Sequence, residues 1–202
     1  MIVRDAYRFL IPLAVLIAVI FRMGFNIAGG IFLILFAFVA FFFRNPPRKI
    51  SEDPRVIVSP ADGKVVRVER VGNVTQMSIF LSLFNVHVNR SPIAGRIQAI
   101  DYRPGKFLAA YNPAASRENE RNVIMVSDGR INMVFTQIAG VAARRIVFWR
   151  KVGDEVAKGE LVGLIRFGSR VDVLFPAGTE ATVKVGDRVK GGSSQIGLIK
   201  SS

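Results

Sequence analysis

A glycine–serine bond set in apolar, β-like sequence dominates the chemistry open to this chain: Arg166-Phe167-Gly168-Ser169-Arg170-Val171-Asp172, near the C-terminus. Such a bond is either a turn or a bond the protein cuts for itself. In the second case the Ser169 hydroxyl attacks the Gly168 carbonyl and turns the amide into an ester. Elimination then leaves dehydroalanine, and hydrolysis releases ammonia and leaves a pyruvoyl group. Glycine suits the position before the serine, because the attack needs a strained backbone with no side chain in the way. The product would give a carbonyl for amine chemistry to a chain with no cysteine and one histidine, His87. A base must take the hydroxyl proton.

The elements that must carry this bond are mostly strands. Val65–Val68, Gln76–Phe80, Val123–Val126 and Ile131–Phe135 are short apolar or alternating runs, and turns such as Asp62-Gly63 and Asp128-Gly129 bound several of them. Gly140–Trp149 is the one window that fits a short helix or turn. An internal echo is more telling: Val152-Gly-Asp-Glu-Val-Ala-Lys-Gly recurs as Val185-Gly-Asp-Arg-Val-Lys-Gly-Gly, each copy closing on Gly-Leu-Ile. Short repeated strands joined by Gly-Asp and Lys-Gly turns predict a mainly β, quasi-symmetric sandwich or barrel. The pattern resembles the barrel-sandwich fold of biotinyl and lipoyl carriers, without the carrier lysine at a hairpin tip. The repeat also separates two Gly-Ser bonds. Gly192-Ser193 falls in the turn that matches Lys158-Gly159-Glu160, so a turn accounts for it. Gly168-Ser169 follows the closing strand of the first copy, where the second copy simply ends. Ser169 is therefore the better scissile candidate.

Composition adds an anchor. Residues 9–43 hold almost no polar side chain except Arg22 and Asn26. The uncharged run Met23–Phe43 is about 31 Å long as a helix, against a hydrocarbon core of about 30 Å. Phe9–Phe21, about 20 Å, is short unless Arg8 and Arg22 snorkel. Arg4 and Arg8 precede the pair, and Arg44, Arg48 and Lys49 follow it, which favours an N-terminal transmembrane helical hairpin with both ends cytoplasmic. A cleaved signal peptide fits less well, since a second, longer apolar run follows with no small-residue cleavage site between. The expected division is an anchor over 1–50 and a β-domain over 51–202. That places the chain at the cell membrane, its β-domain on the cytoplasmic face. The net charge of +13 is scattered, with no Lys/Arg-rich run. Its natural partner is an anionic lipid surface, at roughly 1 kcal/mol per nearby basic residue, rather than nucleic acid. With one histidine and no cysteine, a metal site is not expected.

Several segments in order resemble one family. They are Phe42-Phe43-Arg44-Asn45-Pro46, Ser59-Pro60-Ala61-Asp62-Gly63, Phe84-Asn85-Val86-His87-Val88-Asn89-Arg90-Ser91-Pro92 and Asn119-Glu120-Arg121-Asn122. Gln137–Gly140, Ala143–Ile146 and Arg166–Asp172 follow. Each is weak alone; together they resemble the short, membrane-anchored phosphatidylserine decarboxylase proenzymes or their archaeal archaetidylserine counterparts. The resemblance implies a pyruvoyl-dependent enzyme cut between Gly168 and Ser169 into chains 1–168 and 169–202, with dimerisation through the β-domain expected by analogy. It implies that the pyruvoyl ketone forms an imine with the serine amine of a membrane phospholipid and accepts the electrons released with carbon dioxide. His87 is then the expected acid for the carbon left behind. Other branches of the family carry a second histidine three residues on; here that place is Arg90, so either Asp62 activates Ser169 without a relay or His87 serves both steps. Asp62 also fits a plain turn. Arg121, Arg144 and Arg145 are candidates for the lipid phosphate, since guanidinium groups pair with phosphate in bidentate fashion. Two other classes make distinct predictions: a non-catalytic, membrane-tethered β-sandwich adaptor stays uncut, and a nucleic-acid binder shows strongly salt-dependent affinity for any polyanion.

Overall fold

Alternation of apolar and polar residues makes strands of most of the chain beyond residue 55, and the turns between them fall at Gly, Asp and Pro. The computed structural model describes residues 1–109, 112, 114–141, 145–166 and 168–200. It divides into two compact units, Met1–Pro47 and Arg48–Ser202.

The first unit is a helical hairpin, α1 (Tyr7–Arg22) and α2 (Asn26–Phe42), with its turn at Met23–Phe25. Its ends are tied together: Val3 N–H donates to Phe43 O at 3.1 Å, Asn45 N–H donates to Met1 O at 2.7 Å, and Phe9 stacks on Phe43. The expected transmembrane hairpin is corrected by helix length. α1 has 16 residues and α2 has 17, so at 1.5 Å per residue they reach about 24 and 26 Å, short of the ~30 Å core. The uncharged run does not become one helix, because Met23, Gly24 and Phe25 are used in the turn, with Gly24 at φ +81°. Among the described residues no helix is long and apolar enough to cross a membrane.

The second unit is mainly β, as expected. Its strands are β1 (Val56–Val58), β2 (Gly63–Val71), β3 (Val74–Leu81), β4 (Val88–Arg90) and β5 (Gly95–Arg103). After the short α3 (Ala115–Glu118) come β6 (Arg121–Ser127), β7 (Asn132–Ala139), β8 (Ile146–Phe148), β9 (Glu155–Val156) and β10 (Leu161–Ile165). β11 (Ser169–Phe175), β12 (Thr179–Ala181), β13 (Arg188–Val189) and β14 (Gln195–Ile199) complete the chain. An eight-stranded sheet has the order β13-β2-β3-β11-β7-β6-β5-β9, and two three-stranded sheets run β4-β10-β8 and β1-β14-β12. These strands pair antiparallel. Within the window Gly140–Trp149, Ile146–Phe148 forms strand β8, paired with Gly163–Ile165, and residues 142–144 lie outside the described residues.

The sequence echo is structural. β9–β10 and β13–β14 are matching short-strand, turn, strand units, and their turn glycines share a left-handed backbone, φ +74° at Gly159 and +77° at Gly192. Ser193 and Ser194 N–H groups both donate to Lys190 O. The turn account of Gly192-Ser193 therefore holds. The inner face of the large sheet supplies much of the core: Met77, Ile79 and Leu81 of β3, Ile124 and Val126 of β6, Met133 and Phe135 of β7, and Val171, Val173 and Phe175 of β11.

Candidate active site

Ser169 begins β11, where the chain leaves the small β4-β10-β8 sheet and joins the large one. It is fully buried, held between Leu81 of β3 and Ala139 of β7. Strand alternation puts it on the inner face with Val171 and Val173. Its Oγ is buried and has no hydrogen-bond partner, an arrangement that costs about 1–3 kcal/mol for a hydroxyl and calls for an explanation. Gly168 before it has φ +62°, and a Cβ built there would meet nothing within 4 Å. Backbone handedness, not lack of room, is what asks for glycine at this position.

His87 sits at the same junction. It is 2% exposed, its carbonyl accepts from Ile165 N–H at 3.3 Å, and its ring Nδ1 lies 3.0 Å from Asn85 O. A carbonyl only accepts, so Nδ1 carries the proton and Nε2 offers a lone pair. Asn85 is itself clasped to the end of β3, its Oδ1 accepting from Ser82 N–H at 2.9 Å and Ser82 Oγ–H at 2.8 Å. Ser82 follows Leu81, the strand partner of Ser169. The imidazole is thus oriented from the two strand ends that flank the Gly168-Ser169 bond.

Asp62 stands just before β2, whose Lys64 pairs with Phe80, the residue before Leu81. Arg48 Nη2 donates to both its oxygens, at 2.9 and 2.8 Å, and Gly191 N–H donates to Oδ1 at 2.8 Å. Arg90 completes this buried group, its Nη1 donating to Gly159 O at 2.7 Å and its Cδ standing where a Cβ on Gly192 would clash. Burial lowers the Arg90 pKa from the ordinary arginine value, repulsion from Arg48 adds to that, and Asp62 opposes it. The two repeat turns therefore meet around one carboxylate and two guanidinium groups.

Arg121 and Arg145, the described two of the three arginines proposed for phosphate, lie on separate segments. Arg121 opens β6 and lines a cavity of about 760 Å³ with Arg67, Arg103 and Arg117. That cavity lies on the outer face of the sheet, with Asp172 and Leu174, opposite the face of Ser169. Arg121 Nη1 donates to Arg117 O and Asn119 O. Arg145 is exposed beside the junction, its carbonyl accepting from Arg166 N–H. Arg144 lies outside the described residues.

Two features have no plain sequence signal. On the outer face Arg170 Nε donates to Asp172 Oδ1 at 2.6 Å and Arg170 Nη2 donates to Ser78 Oγ, while Gln76 and Ser116 donate to Asp172 Oδ2. This network fixes β11 immediately after the scissile candidate. Asn119 is fully buried; its Nδ2 donates to Ala139 O at 2.7 Å and Leu108 O at 2.8 Å, and its Oδ1 accepts from Leu108 N–H. It latches the loop after β5 onto the strand partner of Ser169.

Fold and site together define a mainly β protein that buries a partnerless serine behind a left-handed glycine, with an oriented histidine just before β4. The comparisons with known proteins give the family. The profile of phosphatidylserine decarboxylase matches residues 35–197. A phosphatidylserine decarboxylase proenzyme of Solibacter usitatus is 52% identical over 174 residues, covering 84% of this chain and 85% of that one. The proenzyme of Carboxydothermus hydrogenoformans is 44% identical over 205 residues, 98% and 96% of the two chains. That of Geotalea uraniireducens is 38% identical with the same coverage. This chain belongs to the phosphatidylserine decarboxylase family.

Proposed function

We propose that this chain is a proenzyme that cuts itself between Gly168 and Ser169 and then decarboxylates the serine head group of phosphatidylserine to the ethanolamine head group. The observation that carries the proposal is the buried, unpartnered Ser169 Oγ directly after a left-handed Gly168, in a family whose relatives are named proenzymes. These residues fit a pyruvoyl group made from Ser169. Ser169 Oγ bonds to the Gly168 carbonyl carbon while the Gly168–Ser169 amide breaks. Elimination then frees a carboxylate at Gly168 and leaves dehydroalanine, which water converts to pyruvoyl with loss of ammonia. When formed, that group supplies a carbonyl that captures the substrate amine and draws in the electrons released with carbon dioxide.

His87 serves both stages in this proposal. Its Nε2 takes the Ser169 hydroxyl proton and later returns a proton to the substrate carbon that has lost carbon dioxide. The engagement of Asp62 by Arg48 and Gly191 favours His87 over Asp62 as the base. Asp62 then keeps the two repeat turns in place. Arg145, beside the junction, is the candidate for the lipid phosphate. The enzyme works at the cytoplasmic face of the cell membrane. Ile11, Val15, Ile27 and Ile34 are exposed on the helical hairpin, and Leu83 and Phe84 are exposed on the turn beside His87. Both sets are apolar surface suited to lipid.

Intact mass under denaturing conditions tests this, for wild type and Ser169→Ala. The expected result is two chains, 1–168 and 169–202, the smaller carrying the pyruvoyl mass, and one uncut chain in the variant. A folded wild type that stays uncut refutes self-processing at this bond and favours an adaptor.

A further inference from the structure

Three neutral amides form a buried row between the two sheets that meet at Ser169. Gln137 Nε2 donates to Asn89 Oδ1 at 2.9 Å, and Asn122 Nδ2 donates to Gln137 Oε1 at 3.3 Å. Asn89 and Gln137 are fully buried and Asn122 is 3% exposed. The orientation of Gln137 is fixed by Val147 O, 3.5 Å from its Nε2. Gly163 makes room for that amide, since a Cβ there would come within 3.1 Å of Gln137 Nε2 and 2.3 Å of Val147 O. With these bonds made, one donor and one acceptor remain without partners, Asn89 Nδ2 and Asn122 Oδ1. Buried amides left half-used are costly in a core and are expected to meet a ligand or a water.

The row lies beside Ser169. Gln137 is two residues from Ala139, the cross-strand neighbour of Ser169, and on the same face of β7, so about 7 Å separates them along the strand. A substrate held through its amine at Ser169 has this row as its neighbour on the inner face of β7. The spare donor of Asn89 suits the carboxylate of an amino-acid head group.

We propose that Asn89, held by Gln137, reads the carboxylate of the substrate serine. This rests on the decarboxylase reading of Ser169. Neutral donors suit the task. Decarboxylation moves charge off the carboxylate, so a cation gripping it would stabilise the ground state more than the transition state. An amide orients the carboxylate without that penalty. Arg121 and Arg170, next in sequence to Asn122 and Ser169, belong to the opposite face, and Arg90, next to Asn89, donates to Gly159 O.

The test uses the purified full-length chain in mixed micelles, with Asn89→Asp, which keeps the acceptor for Gln137 and replaces the donor by an oxygen. Asn89→Ser is the second variant. Three readouts are needed: cleavage by denaturing mass, KM and kcat on phosphatidylserine, and inhibition by soluble glycerophosphoserine and glycerophosphoethanolamine. The expected result is complete self-cleavage, a KM raised about tenfold or more, and about tenfold weaker inhibition by glycerophosphoserine. Inhibition by glycerophosphoethanolamine, which lacks the carboxylate, should stay within about twofold. Equal weakening of both inhibitors indicates general damage and overturns the proposal. No change in either overturns it too, because a water then satisfies the amides. If Asn89→Asp alone fails to cleave, Asn89→Ser decides; if neither cleaves, Asn89 belongs to folding or processing and the proposal falls. Failure of the decarboxylase reading looks different, since the wild type itself would then remain uncut or turn over no lipid.

Discussion

Replacing Asp172 with alanine should cost this protein a large part of its stability. Asp172 is 5% exposed and Arg170 2%, so solvent does little to screen the pair. Asp172 accepts from Arg170 at 2.6 Å, from Ser116 at 2.8 Å and from Gln76 at 3.3 Å. Without the carboxylate the Arg170 guanidinium keeps Ser78 Oγ but loses its counter-charge while still buried. Stranding one member of a buried pair costs about 3–5 kcal/mol, against a typical total of about 5–15. For a chain of this length that lowers the melting temperature by roughly 6–20 °C. The assay is urea unfolding of the full chain followed by Trp149, the sole tryptophan. A Ser169→Ala background ensures that one covalent chain unfolds in every sample. A companion variant, Arg170→Met with Asp172→Leu, removes both charges and should recover most of the loss, since apolar replacement of a buried pair is often neutral or stabilising. A loss below about 1 kcal/mol for Asp172→Ala, or a double variant no better than the single one, would refute the reasoning.

Two further predictions follow from local geometry. At Gly168 the backbone is left-handed and the space is open, so self-cleavage should fall in the order Gly, Asn, Ala, Val, with Ala costing about 1–2 kcal/mol of folded stability. Equal cleavage of all four, timed by mass, would show that handedness is irrelevant. At Asp128 burial works to raise the pKa. The Ile131 and Arg130 N–H groups and the Arg130 side chain outweigh it, and the net result lies below the usual carboxylate value. A depressed carboxylate stabilises the fold above its unfolded pKa of about 4 and loses that contribution as pH falls through the folded value. Asp128→Asn should therefore unfold more easily than wild type at pH 7, and the difference should shrink in acid; a constant difference across pH would contradict it.

Sequence alone determined the elements whose signals are local. Period-two alternation marked β2, β3, β6 and β7, because a strand with one buried face must alternate. The repeated Gly-Asp and Lys-Gly turns marked matching supersecondary units. Those same turns distinguished Gly192-Ser193, a repeat turn, from Gly168-Ser169, which the repeat leaves unexplained. Alternation says which residues share a face, not which face turns inward. Only the assembled sheets put Ser169, Gln137 and Asn122 on the inner side and Arg121 with Asp172 on the outer. Hydropathy gave an uncharged run long enough to span a bilayer, but the turn at Met23–Phe25 takes its first residues and leaves a helix too short to do so. Asp62 looked free to act as a base until the fold brought Arg48 and Gly191 onto its carboxylate, the latter from 129 positions away. Asn89 and Gln137, 48 positions apart, carry no mark in sequence that they meet. Such contacts depend on how separate sheets pack, a choice made by the whole core at once and not by any window along the chain.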